Sequence, residues 1–251
     1  MTDELPQPLG FPHCARCPYR VNGTPRICGD CAGKTLKPIP DDHCPICSQV
    51  LKPGVPCANS LCGWSEGRDR WRRSITRIDA VAQYTDPFSS TLRQFKEVAG
   101  NAPWGGIFGR LLVGWMETHN QMVSDIDLII GNPTHAERQP LQHIETIMAA
   151  AHTADALGWW PLPHPEKPML VKTKATVTSK DKGFVAKEEA AWEHVMAIQK
   201  TSAADFKGKK ILLIDDVCTT GLQLNYLAHR LMASGAAEVR GLVLARVPWK
   251  Y

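Results

Sequence analysis

A chain of 251 residues, 43% hydrophobic and 22% charged, holds enough apolar material for one large globular domain or two small ones. Its net charge of +4 tolerates phosphate-rich partners but falls short of a dedicated nucleic-acid binder. No run approaches about eighteen consecutive apolar residues, and "MTDELPQPLG" has neither a basic start nor an apolar core, so the expectation is a cytoplasmic protein without a membrane span or secretory signal.

Taken from the N-terminus, the first signal is cysteine. Eight of the nine cysteines fall within the first 62 residues, in the pairs Cys14/Cys17, Cys28/Cys31, Cys44/Cys47 and Cys57/Cys62. A two-residue gap lets both thiolates of a tight turn face one ion, and two such turns complete the four-sulfur shell of structural zinc. Eight sulfurs make two zinc sites. A disulfide framework is the competing reading, but it requires an oxidising compartment. Sequential pairing would give two successive zinc ribbons, and alternate pairing a cross-braced module. Sequential pairing is favoured because each half opens alike, as "HCARC" and "HCPIC", and closes a short loop. His13 and His43 adjoin ligand cysteines and are left out of the shells. Four thiolates leave no open position for substrate, so the metals serve as scaffolding for a segment poor in large apolar residues.

A polar stretch with Arg68, Arg70, Arg72, Arg73 and Arg77, with Trp64 and Trp71 nearby, follows. It is either a solvated linker or a surface for single-stranded nucleic acid, since arginine and indole together grip phosphates and stack on bases. The domain boundary is placed near residue 70, giving a ribbon module over 1–70 and a second domain over 71–251.

Beyond it, strand-like and helix-like segments alternate. "IDAVAQY" (78–84) reads as a strand, 89–100 as a helix with a serine start and a glycine stop, and 104–119 as another helix. The apolar run 126–132 suits a strand covered on both faces, residues 135–157 a helix, "KKILLIDDV" (209–217) a second buried strand, 220–234 a helix ended by Gly235, and "VRGLVLARV" (239–247) a further strand. Such alternation predicts an α/β domain with a mostly parallel sheet flanked by helices. The segment 161–186 shows little periodicity and many lysines (167, 172, 174, 180 and 182). It is either a hood that closes over a substrate or a surface loop.

The most informative stretch is "ILLIDDVCTTGLQL" (211–224). In a parallel sheet ligands gather at the carboxyl ends of the strands, which puts Asp215 and Asp216 at the mouth of a crevice. The turn after them runs into a helix N-terminus, whose free N–H groups suit a phosphate. Gly221 allows close backbone approach, and the hydroxyls of Thr219 and Thr220 add donors. Two carboxylates beside a phosphate cradle suit a sugar phosphate.

"ILLIDDVCTTG" resembles the ribose-phosphate signature of the type I phosphoribosyltransferases. The order of parts, with cysteine ribbons, "LRQFKEVAG", "IDLIIGNPTHAER" and then the Asp-Asp motif, resembles the competence-protein ComF family. The resemblance implies the type I phosphoribosyltransferase fold, binding of 5-phosphoribosyl 1-diphosphate (PRPP) with magnesium, and transfer to a small-molecule acceptor. It assigns Asp215 and Asp216 to the ribose hydroxyls and Val217, Cys218, Thr219, Thr220 and Gly221 to the 5′-phosphate loop. Gly131, Asn132, Thr134 and Arg138 go to the pyrophosphate loop, and Lys96 to the "FK" segment. Two features depart from the family pattern. Gln223 stands where a second hydroxyl residue is usual, and "RQPLQHIE" replaces the stretch that normally follows the pyrophosphate loop. No general base is evident. His135 and His143 are candidates, and Cys218, a thiol whose pKa a helix N-terminus would lower, is read as incidental because this position of the motif varies.

Three functions fit these residues: a phosphoribosyltransferase, a non-catalytic PRPP or nucleotide sensor, and a competence-type factor whose ribbons touch single-stranded nucleic acid or a protein.

Overall fold

The computed structural model describes residues 11, 27, 29–67, 72–176 and 184–249. In chain order the elements are α1 (Gly29–Thr35), α2 (Ser60–Gly63), β1 (Ile78–Gln83), α3 (Phe88–Glu97), a 3-10 turn (Ala99–Trp104), α4 (Gly105–Thr118), α5 (Asn120–Val123), β2 (Leu128–Gly131), α6 (His143–Ala154), β3 (Leu170–Lys172), α7 (Phe184–Met196), β4 (Ile198–Lys200), β5 (Lys210–Cys218), α8 (Leu222–Ala233) and β6 (Glu238–Arg246). Four strands form one all-parallel sheet in the order β1-β6-β5-β2. β3 and β4 make a separate antiparallel pair.

Alternation along the strands sorts the core into two layers. Leu212 and Ile214 of β5, Ile129 of β2 and Leu242 and Leu244 of β6 pack with α3, α4 and α6. Ile211 and Leu213, with Leu128, Ile130, Val239 and Val243, face α7 and α8 and receive Leu61 from the cysteine-rich segment. Both faces being covered explains why β5 and β6 read as continuous apolar runs. α4 and α6 approach closely at Gly109, where a Cβ would stand 2.5 Å from the backbone of Ala150 and Ala151.

Two sequence expectations need correction. The helix expected over 135–157 begins only at His143, because Pro140 has no N–H to donate and disfavours helical backbone at the residue before it. Residues 135–142 are instead a loop over the sheet edge. The aperiodic segment 161–186 is not simply a loop: it contains β3 and leads into α7. That subdomain is bound to α8, where Tyr226 donates to Glu188 (2.8 Å) and meets Trp192 edge-on, and Arg230 donates to the carbonyls of Val195 (2.5 Å) and Ile198 (2.6 Å). Its strands are only three residues long, too short to announce themselves by alternation.

No helix among the described residues is long and apolar enough to cross a membrane.

Candidate functional site

β5 delivers its two aspartates to opposite layers, as strand alternation requires. Asp216 turns toward α3 and α6, where Lys96 pairs with Oδ2 and His143 Nε2 lies 3.2 Å from the same oxygen. Asp216 and His143 side chains are each 7% exposed and Lys96 22%, so this is a nearly buried cluster. Burial alone would raise the Asp216 pKa, but the Lys96 charge, followed by His143, overrides it and holds the carboxyl far below its usual range.

Asp215 turns toward the hood layer and stays partly exposed. Its Oδ1 accepts the Asp216 backbone N–H (2.9 Å), and its Oδ2 accepts from Asn132 Nδ2 (3.0 Å). Burial, and then the charge of Asp216, push its pKa up to about 7. Behind Asn132 runs a polar chain that the sequence did not reveal. Lys172 Nζ donates to His194 Nδ1 (2.9 Å), and His194 Nε2 donates to Asn132 Oδ1 (2.9 Å). The direction of these bonds makes His194 the neutral Nε2–H tautomer. Burial, then Lys172, hold its pKa down to about 3, and burial, then Arg138, lower that of Lys172. His194 is brought in by α7 and Lys172 by β3, so only folding of the hood reveals them; the lysine-rich composition of 161–186 was the one sequence signal.

These groups line a cleft of about 530 Å³ that also takes in Lys96, Thr134, Arg138 and Gln223. Asn132, Thr134 and Arg138 thus converge with the aspartates. Gly131 does not line this cleft. It lines an apolar recess behind it, where a Cβ would stand 2.5 Å from Ile144 Cγ2, so its role is helix–strand packing. Thr134 is already engaged, its backbone N–H donating to Glu145 Oε1 (2.9 Å) and its hydroxyl to Glu145 Oε2.

A second recess, about 180 Å³, adjoins the cleft at Asp215, Val217 and Gln223 and is formed by the turn from Cys218 to Leu222. Gly221 has φ +81, and a Cβ there would meet Ile78 Cδ1 at 2.7 Å and Leu61 Cδ2 at 3.0 Å, so conformation and space both demand glycine. Among the described residues, the backbone N–H groups of Thr219, Thr220 and Gly221 donate to no protein acceptor. They are available to an anion at the start of α8. The Cys218 thiol is buried, which pushes its pKa up to about 11, contrary to the lowering expected at a helix start.

The sulfurs of Cys44, Cys47, Cys57 and Cys62 lie within 4.8 Å of one another. Cys44–Cys62 is 3.6 Å and Cys47–Cys57 3.7 Å. A tetrahedral shell with zinc–sulfur bonds near 2.3 Å needs an edge of about 3.8 Å, so the set fits structural zinc. These are the four that sequential pairing groups together. His43 Nδ1 instead lies 2.7 Å from the Pro40 carbonyl. Of the first set, Cys31 is buried in α1, and Cys14, Cys17 and Cys28 lie outside the described residues. So do Arg68, Arg70, Trp71, Lys180 and Lys182. Arg73 pairs with Glu66 (2.6 Å) and Arg77 with Asp79 (2.9 Å), which engages both internally.

A strand ending in paired carboxylates, a turn of unpaired backbone amides at a helix start and a cleft lined by both lysine/arginine and carboxylate side chains fit a phosphoribosyltransferase-type domain, and the phosphoribosyl transferase domain family matches residues 163–251. The chain is also 26% identical, over 223 residues, to Competence protein ComFC of Bacillus subtilis (strain 168), covering 88% of this chain and 84% of that one. Together these bear out the resemblance read from the sequence: the chain is similar to a ComF-type competence protein, and its C-terminal part carries a phosphoribosyl transferase domain.

Proposed function

We propose that the cleft binds PRPP with magnesium and transfers its phosphoribosyl group to a small nucleophile, releasing pyrophosphate. The carrying observation is the continuity of the two recesses across Asp215: free loop amides lie on one side and the Lys96, Arg138 and Lys172 cations on the other. That spacing suits a ribose whose 5′-phosphate sits in the turn and whose diphosphate lies in the cleft. Asp215, the more open carboxylate, accepts from the ribose hydroxyls. Asp216 acts through Lys96 and His143, whose positions it fixes. As the bond from the anomeric carbon to the diphosphate breaks, its electron pair leaves with pyrophosphate, and the lysines and Arg138 offset that charge. Magnesium bound with the substrate would supply further charge compensation, and Asp215 is the carboxylate that would support it.

The Glu145 carboxylate covering the Thr134 donors favours a second reading: a pocket that binds PRPP without turning it over. The competence name of the relative supports a third, in which the protein handles nucleic acid through its cysteine-rich segment.

Calorimetric titration of PRPP with magnesium into the wild type and Asp215→Asn, followed by a pyrophosphate-release assay with pooled nucleobases and amines, separates the three. Binding lost in the variant, with release, supports transfer. Binding without release supports the sensor. Absence of binding refutes both and leaves the nucleic-acid reading.

A further inference from the structure

Arg246, at the end of β6, is 1% exposed and the largest fully buried side chain among the described residues. Its described partners are neutral carbonyls, one sulfur and the Trp249 ring, whose centroid lies 5.7 Å from Cζ. Nε donates to the Cys47 carbonyl (2.7 Å), and Nη2 reaches Cys47 Sγ (3.7 Å). Nη1 donates to the carbonyls of Cys218 (2.9 Å) and Thr219. A buried guanidinium without a nearby anion is costly. Four thiolates around one Zn²⁺ sum to about two negative charges, so a metal in the cysteine site is the counter-charge that Arg246 otherwise lacks.

The same guanidinium draws back the carbonyls of the anion-binding turn. Two further contacts assist it. Trp249 Nε1 also donates to the Thr219 carbonyl (3.2 Å), and Asn59 Nδ2 donates to that of Thr220 (3.0 Å). With three consecutive carbonyls held at the back, the N–H groups of Thr219, Thr220 and Gly221 are left for the recess. Asn59 and Leu61 belong to the Cys57–Cys62 loop, and Leu61 packs beneath Gly221. Both halves of the cysteine site therefore grip this turn, the Cys44–Cys47 half through Arg246 and the Cys57–Cys62 half directly.

We propose that Arg246 is a positioning residue that couples the four-cysteine metal site to the anion-binding turn, so that zinc held by Cys44, Cys47, Cys57 and Cys62 sets the turn's affinity for a phosphate monoester. The cysteine-rich segment is then a controlling part of the pocket as well as a scaffold. The ligand half of this proposal rests on the PRPP reading; the order of the turn does not.

The test compares zinc-loaded wild type, zinc-depleted wild type and zinc-loaded Arg246→Lys, which keeps the charge and loses the fork. Zinc per chain is counted in each. Amide relaxation measures order at residues 219–221, with 212–214 and 242–244 as internal controls. Order parameters at the turn should fall from about 0.85 to below about 0.6 on depletion and in Arg246→Lys, with the control strands unchanged. Affinity for ribose 5-phosphate should fall about tenfold while that for pyrophosphate stays within about twofold, a split that general loosening would not produce. Loss of zinc from Arg246→Lys with the control strands intact is the same coupling seen from its other end. An ordered turn and unchanged ribose 5-phosphate affinity in zinc-loaded Arg246→Lys would overturn the proposal, and that variant decides alone if depletion also melts the control strands. If the turn responds to zinc and to Arg246 but no form binds ribose 5-phosphate, the coupling stands and the PRPP reading fails.

Discussion

Replacing Lys96 by methionine keeps the length of the side chain and removes the main cation facing Asp216. Breaking one partner out of a buried pair costs about 3–5 kcal/mol when nothing else compensates the remaining charge. Here two features reduce that figure. Lys96 is 22% exposed, so water reaches the vacated position, and His143 remains 3.2 Å from the carboxylate. A loss of about 2 kcal/mol is therefore expected at neutral pH, which is a shift of about 1 M in the urea midpoint at the slopes usual for domains. The pH dependence carries a sign. The folded pKa of Asp216 is depressed, so its contribution is present above the unfolded value near 3.9 and is lost as pH falls through the folded one. In Lys96→Met that loss moves to higher pH, and wild type and variant converge in acid. Urea titrations followed by far-UV circular dichroism at several pH values read this directly, and Lys96→Met/Asp216→Asn should recover most of the deficit because no buried charge is left behind. A Lys96→Met midpoint within about 0.2 M of wild type, or a double variant weaker than the single, would refute the assignment of Asp216 as a buried anion dependent on Lys96.

Two further outcomes follow from the same site. The Asp215 pKa is raised to about 7 in the folded state, so between roughly pH 4 and 7 the native protein binds a proton that the unfolded chain has lost, and stability falls as pH rises across that window. Asp215→Asn should remove this slope, leaving the variant more stable than wild type at pH 8 and equal to it near pH 4; urea midpoints at the two pH values check it. Glu145→Ala should free the N–H and hydroxyl of Thr134 and remove a negative charge beside the cleft, raising pyrophosphate affinity about fivefold by calorimetry, whereas a fall would show that Glu145 shapes the loop instead of competing for it.

The sequence by itself determined the sheet and the strand that carries the site. Apolar runs within 126–132, 209–217 and 239–247 suit strands covered on both faces, and a carboxylate pair followed by Val-Cys-Thr-Thr-Gly suits the point where such a strand meets a helix. The spacing of Cys44, Cys47, Cys57 and Cys62 likewise pointed to a four-sulfur site, because the two-residue gap of the first pair and the looser four-residue gap of the second each bring two thiolates together locally. What tertiary structure decided is everything that depends on which distant side chain fills a given volume. Asp215 and Asp216 are neighbours in sequence and chemically identical, yet alternation sends one to Asn132, 83 residues away, and the other to Lys96 and His143, and their pKa values part in opposite directions. His194 and Arg246 carried no local signal, and Lys172 only that of a lysine-rich stretch, since a lone histidine, lysine or arginine gains meaning only from what burial places beside it. Local pattern fixes backbone geometry within a few residues, whereas the electrostatics of a buried group depend on contacts across the whole chain, and these exist only after the hood, the sheet and the cysteine-rich segment have packed together.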